Sequence, residues 1–228
     1  MTRRPFIAVL AGVNGAGKSA VGGSLLQDVG LPCYNPDTFA REMKDEAGLS
    51  LAEANARAWQ YGFDRLRQAI DQHGNFALET TLGGSSISQL LLEAAKTHDV
   101  LVWFCGLTSP ELHIERVTLR VAHGGHPIPP ETIRERWRSS RSNLITLLPH
   151  LTRLQLFDNS FTVADGDLIP SPPLVLDYHN RRVLVPDACD HAALVAIPEW
   201  AKPIVEKALL MVDTRHSPTP HTTHRQIG

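Results

Sequence analysis

The chain of 228 residues holds only three cysteines, Cys33, Cys105 and Cys189, far apart and without C-x-x-C spacing. An odd, scattered set of this kind excludes a disulfide framework and fits thiols kept reduced in a cytosol. An excess of either charge is also lacking, since 22 Lys and Arg face 24 Asp and Glu for a formal net charge of −2. No global basic field can gather nucleic acid or an anionic membrane, so any polyanion contact must be local. Long hydrophobic runs are missing as well. The longest, Val100 to Leu107 and Leu144 to Leu148, fall far short of the roughly 20 apolar residues that span a bilayer. The first residues, Met-Thr-Arg-Arg-Pro-Phe, carry charge with no signal-type apolar region behind them. The expectation is a cytoplasmic protein with neither membrane nor nucleic acid as partner.

What the chain does have is Gly12-Val-Asn-Gly-Ala-Gly-Lys-Ser19, a full G-x-x-x-x-G-K-[ST] phosphate loop. It follows the apolar run Phe6 to Leu10 and precedes a helical stretch, Ser19 to Val29, that ends at Gly30. That context matters, because a strand must feed such a loop and a helix N-terminus must help it hold an anion. Gly12, Gly15 and Gly17 let the backbone close around phosphate oxygens, with Asn14 and Ala16 completing the cradle. Lys18 reaches the β- and γ-phosphates, and the Ser19 hydroxyl ligates Mg²⁺. The expected cofactors are ATP and Mg²⁺.

Beyond the loop, Pro32 to Asn35 reads as a short extended piece, and Pro36-Asp37-Thr38 opens a helix running toward Ala47. A long helix over Ser50 to His73 carries Leu51, Trp59, Phe63, Leu66 and Ile70 as candidate inward positions. Phe76 to Glu79 is a short buried strand, Ser86 to Thr97 an amphipathic helix, and Val100 to Leu107 a fully apolar strand. This order predicts a mainly parallel α/β sheet flanked by helices, the P-loop kinase fold, with ligands beyond the carboxyl ends of the strands. Pro110 to Val121 and Glu131 to Pro149 read as two helices joined by the turn 123–130, which together would form a helical lid over about 110–149. Leu154 to Phe157 is a further strand. Leu174 to Leu184 has the pattern of a small hairpin turning at His179-Asn180, and Pro198 to Val212 of a final helix. One domain over 1–212 is expected, followed by a disordered tail over 213–228 that is rich in His, Thr and Pro.

A phosphate loop alone does not separate kinases from other nucleotide-dependent proteins, so the remaining polar groups must decide. Glu79 lies at the carboxyl end of a strand beside the first one, where a carboxylate can meet Mg²⁺ or an acceptor, and Thr80 and Thr81 place hydroxyls on the same rim. Asp37 stands at the mouth of that crevice, suited to accept the proton of an acceptor alcohol. In Asn-Pro-Asp-Thr, however, Asn35 or Asp37 serves equally well as a helix N-cap. Every basic residue from 111 to 141 is Arg: Arg116, Arg120, Arg134, Arg136, Arg138 and Arg141. Guanidinium forks bind phosphate oxygens in pairs and stay charged, as a lid over a triphosphate requires, whereas Glu111, Glu115, Glu131 and Glu135 offer some of them only surface pairing. His123 and His126 lack a third metal ligand at plausible spacing.

Taken together, Ala-Gly-Val-Asn-Gly-Ala-Gly-Lys-Ser, Tyr-Asn-Pro-Asp37, Leu-Glu79-Thr-Thr, Glu115-Arg116-Val, Gly-Gly-His-Pro-Ile-Pro, Arg136-Trp, Asn143-Leu and Asp158-Asn-Ser resemble the zeta toxin family over roughly 7–160. The resemblance implies a P-loop kinase that phosphorylates the 3′-hydroxyl of the sugar in UDP-N-acetylglucosamine, with a separate antitoxin protein as partner. It implies Lys18 and Ser19 at ATP and Mg²⁺, Asp37 as the base, Glu79 and Thr81 on the acceptor side, and Arg116 on the transferring phosphate. Where the toxins place a second lid arginine, this chain has Gly124-Gly-His-Pro-Ile-Pro. Arg120, Arg134 and Arg136 compete for that role, with Arg136 taken as catalytic and Arg120 as an acceptor contact. A kinase for another acceptor, either a nucleotide cofactor or a nucleic-acid 5′ end, stays open beside this reading, as does a regulatory module that binds ATP without transferring phosphate.

Overall fold

The computed structural model describes residues 4–22, 30–161 and 170–212. Six strands form one sheet in the order β2-β1-β3-β4-β5-β6: β1 (Phe6–Ala11), β2 (Phe76–Thr80), β3 (Asp99–Gly106), β4 (Arg153–Asp158), β5 (Leu174–His179) and β6 (Arg182–Val185). The first four in that order are parallel, and β5 and β6 add an antiparallel edge. The hairpin therefore extends the main sheet. Its turn places Asn180 and Arg181 at φ 49° and 61°, the left-handed pair a two-residue hairpin requires.

Alternation along β1 sorts the two faces. Ile7, Val9 and Ala11 enter the larger core with Val102, Phe104, Leu154 and Leu156, while Ala8 and Leu10 join Ala77, Trp103 and Cys105 on the other face. The helices are α1, described over 18–22, α2 (Pro36–Ala47), α3 (Leu51–Asp71), α4 (Ser85–Ala94), α5 (Pro110–Ala122), α6 (Pro130–Leu147), α7 (His191–Val195) and α8 (Lys202–Leu210). The larger core is closed by Leu66 of α3, Leu90 and Leu91 of α4, Leu144 and Leu147 of α6, and Ile204 and Val205 of α8. Ala16 and Val21, from the phosphate loop and α1, cover part of the opposite face. The rest of the helix expected to Val29, and the tail expected over 213–228, lie outside the described residues.

The short extended piece expected before Asp37 is present and makes a single bridge, Tyr34 to Leu78, because Pro32 and Pro36 supply no amide to lengthen it. Two expectations need correction. On α3 the buried stripe is Ala54, Ala58, Gly62 and Leu66; of the five residues expected inward, Leu66 is buried and Phe63 and Ile70 pack partly buried against the larger core, but Leu51 and Trp59 are 37% and 47% exposed. Small side chains win there because α2 and Tyr34 approach closely: Tyr34 Oη donates to the Ala58 carbonyl, and its ring occupies the place a side chain at Gly62 would need. The last helix begins at Lys202, not Pro198, and the short α7 precedes it, begun by an N-cap at Asp190 that hydrophobic periodicity does not reveal.

Candidate functional site

β1, β2, β3 and β4 deliver their carboxyl ends to one edge, and the phosphate loop leaves β1 there. Gly12, Gly15 and Gly17 have φ of 148°, 81° and 78°. A Cβ at these positions would strike the Cys105 carbonyl, the His113 carbonyl and the Asn159 amide in turn. Two loop carbonyls are tied to surrounding groups. His113 Nδ1 lies 2.9 Å from the Asn14 carbonyl, and Asn159 Nδ2 and Cys105 Sγ donate to that of Ala16 at 2.8 and 3.0 Å. Since C=O and the next N–H point oppositely in a planar trans peptide, these ties turn the Gly15 and Gly17 amides the other way, as a phosphate cradle needs.

His113 is buried in α5, where its partner is a carbonyl, so Nδ1 carries the proton. Burial, with Lys18 and Arg116 nearby, pushes its pKa down to about 4, so it stays neutral. Burial likewise raises the Cys105 thiol to about 12, an inert packing group. Sequence reading missed His113. Its only signal was its spacing, three and four residues before Arg116 and Val117, which all meet the loop at Gly15.

A cleft of about 620 Å³ opens beside the loop. Lys18, Asn35, Asp37, Glu79, Thr80, Thr81, Asn14 and Arg136 line it, with Trp59, Phe63, Ile87 and Ile128 as its apolar wall. Lys18 Nζ donates to the Gly12 carbonyl at 2.8 Å and lies 3.4 Å from Glu79 Oε1, while Asn35 Nδ2 donates to Glu79 Oε2 at 2.8 Å. Asn35 Oδ1 accepts the amides of Asp37 and Thr38, so Asn35 is the N-cap and Asp37 is left with its carboxylate in the cleft. Thr80 Oγ1 and Thr81 Oγ1 accept from the amides of Leu82 and Gly83, closing the turn after β2, and Gly84 rather than either threonine caps α4. Ser19 is exposed in the first turn of α1.

The arginines of α5 and α6 divide. Arg136 donates to Asn14 Oδ1 at 2.7 Å; burial lowers its pKa, against which Asp37 and Glu135 act. Arg116 lies against Gly15 and donates to the Phe161 carbonyl at 2.8 Å, pairing with neither Glu111 nor Glu115. Arg120 is turned from the cleft toward the His126 carbonyl, at 3.5 Å, because it packs under the turn at Gly125. Arg134 pairs with Glu111 and Glu131 at the surface, and Arg141 lies 3.5 Å from the centre of the Trp137 ring. Of the three competitors for the second lid arginine, only Arg136 lines the cleft.

This combination of a mostly parallel sheet, a phosphate loop and a helical pair against it defines a P-loop kinase-type fold. The chain belongs to the AAA domain family, whose model matches residues 7–144. It is 31% identical over 128 residues to an uncharacterised protein of Haemophilus influenzae, covering 55% of this chain and 88% of that one. With a shikimate kinase of Rhodococcus jostii it shares 37% identity over 100 residues, which is 41% of this chain and 56% of the relative. Among solved structures, the AvrRxo1-ORF1:AvrRxo1-ORF2 complex with sulphate ions matches at TM-score 0.58 and 20% identity, covering 96% of this chain and 66% of that one. The PezAT toxin-antitoxin system of Streptococcus pneumoniae matches at TM-score 0.50 and 18% identity, over 69% of this chain and 68% of that one. At these identities the structural likeness is one of fold. Among the described residues no helix is long and apolar enough to cross a membrane.

Proposed function

We propose that this chain is an ATP-dependent kinase that transfers the γ-phosphate to a hydroxyl of a small acceptor bound in the cleft. The observation that carries the reading is the placement of Lys18, Glu79, Asp37 and Arg136 along one cleft, the side chain of Asp37 not being used as a helix cap. A protein that merely bound ATP would have no use for that carboxylate. The loop fits a triphosphate because its glycines allow the close turn and its tied carbonyls turn amides toward the ligand. Ser19 is the loop oxygen suited to Mg²⁺, which when bound neutralises charge on the phosphates.

In the reaction, Lys18 exchanges its contact with Glu79 for phosphate oxygens. Asp37 orients the acceptor hydroxyl and takes its proton, Arg136 balances charge on the transferring group, and Glu79, Thr80 and Thr81 border the acceptor. Arg116 joins Arg136 if its bond to Phe161 is released. A solved structure of similar fold, AvrRxo1-ORF1:-ORF2, contains ATP, at TM-score 0.58 and 18% identity. The zeta toxin resemblance makes the 3′-hydroxyl of UDP-N-acetylglucosamine the first acceptor to try, with an antitoxin as partner, residues 1–212 as the catalytic unit and the cytoplasm as its place of action. Incubation with γ-labelled ATP and Mg²⁺, with UDP-N-acetylglucosamine alone and with a bacterial metabolite extract, tests both levels. Label in the sugar nucleotide supports the full reading, and label in another metabolite replaces the acceptor. Label in no small molecule overturns the kinase.

A further inference from the structure

We infer that Asn14 and Gly83 are positioning residues for Arg136, holding its guanidinium at the phosphate loop from two sides; the kinetic part of this rests on Arg136 acting as the lid arginine. Position 14 is a free letter of the loop motif, so the motif itself does not require asparagine there. Its side chain is nevertheless buried, at 6% exposure, and its Oδ1 accepts from Arg136 Nη1 at 2.7 Å. The backbone beneath is fixed as well, by His113 Nδ1 on the Asn14 carbonyl at 2.9 Å. Both lid helices thus grip one loop residue, α5 through its carbonyl and α6 through its amide side chain.

Gly83 supplies the second side. A Cβ there would lie 2.9 Å from Arg136 Cγ and 3.3 Å from its Cβ, so the bare backbone forms the slot through which the arginine stem passes. That slot is held to α6 itself. Asn143, two turns along the same helix, donates through Nδ2 to the carbonyls of Leu82 at 2.8 Å and Gly84 at 3.3 Å. The stem and the head of Arg136 are therefore set by the turn after β2 and by the phosphate loop, before nucleotide binds. A long, rotamer-rich side chain placed in advance loses less freedom when it meets the transferring phosphate.

The test uses the full chain, its Mg²⁺-dependent release of phosphate from ATP with water as acceptor, and the Arg136 Nε–H resonance without nucleotide. Asn14→Ala and Gly83→Ala should each slow phosphate release about tenfold, and in Gly83→Ala, which leaves the phosphate loop intact, binding of a fluorescent ATP analogue should change less than about twofold. In the Arg136→Ala background neither should slow it further, the signature of residues acting through a third. The resonance, assigned by its loss in Arg136→Ala, should be ordered in the native chain and averaged in both variants. An unchanged resonance in Asn14→Ala and Gly83→Ala, or full additivity with Arg136→Ala, overturns the inference. A native rate in Arg136→Ala instead removes the lid-arginine role, and the resonance then still decides whether Asn14 and Gly83 hold the side chain. Should Asn14→Ala fail to fold, Asn14→Ser and Gly83→Ala carry the same comparison.

Discussion

Asn35 Oδ1 accepts the backbone amide of Asp37 at 2.9 Å while Asn35 Nδ2 donates to Glu79 at 2.8 Å. One side chain thus ends the N-terminus of α2 and fastens it to the carboxylate beside Lys18. The division of labour leaves Asp37 at the second helical position, where the helix N-terminus favours its negative charge without needing its oxygens.

The first prediction follows from that division. Asp37→Asn keeps the size of the side chain and leaves the Asn35 cap untouched, so it should lose no more than the favourable charge at the helix N-terminus, roughly 0.3–1 kcal/mol, while kcat falls by about 100-fold or more. Asn35→Ala should do the reverse in part, with a stability loss of about 1 kcal/mol for the missing cap. Paired thermal melts and rates decide it; an Asp37→Asn variant that loses stability in step with activity would make Asp37 structural.

Lys18 is the second target. Its ammonium lies between the Gly12 carbonyl and Glu79, where it bridges the loop and β2. Lys18→Ala should abolish transfer, at a cost of several kcal/mol in the transition state, and retain the fold. Undiminished turnover in a variant with native circular dichroism would contradict the kinase assignment.

Local signals fixed much of this architecture. The glycine spacing of the loop and Pro36 after Asn35 each specify a conformation within a few residues, and both are found where read; the Ser50–Glu53 capping box that opens α3 is an equally local signal that the structure adds. On α3 Leu66 is buried as its periodicity predicts, whereas Ala54, Ala58 and Gly62 are buried in place of Leu51 and Trp59 because Tyr34 and α2 approach closely there, a tertiary fact to which those small residues give no hydrophobic signal. The arginines show the same limit. Six of one type on two helices look alike in sequence, yet the turn at Gly83 and the side chain at Asn14, 53 and 122 residues away, distinguish Arg136 from Arg120. His113 was invisible for a related reason, since its role depends on a carbonyl 99 residues earlier.

Arg116 gives a third prediction. Its guanidinium now spans from α5 to the Phe161 carbonyl, and its stem touches the loop at Gly15. Arg116→Lys keeps the charge but loses the fork, so if Arg116 turns to phosphate during the reaction, kcat should fall more than nucleotide affinity. A silent substitution would leave Arg116 as a strut between α5 and the segment after β4.

The last prediction concerns acid. His113 is held neutral in the fold, with its pKa pushed from an ordinary 6.5 to about 4 by burial and then by Lys18 and Arg116. Between these two values the unfolded chain binds a proton at this histidine that the folded chain does not, so acidification favours unfolding. The stabilising contribution is complete above pH 6.5 and disappears as pH falls to about 4. At about 1.4 kcal/mol per pH unit it amounts to roughly 3 kcal/mol. His113→Asn offers an amide N–H to the Asn14 carbonyl and does not titrate. Unfolding free energies from urea titrations across this range should fall more steeply with acid in the native chain than in His113→Asn, other titrating groups, His98 among them, cancelling in the difference. Equal slopes would mean that His113 carries its proton in the folded state, and that the phosphate loop is held to α5 by a charged rather than a neutral donor.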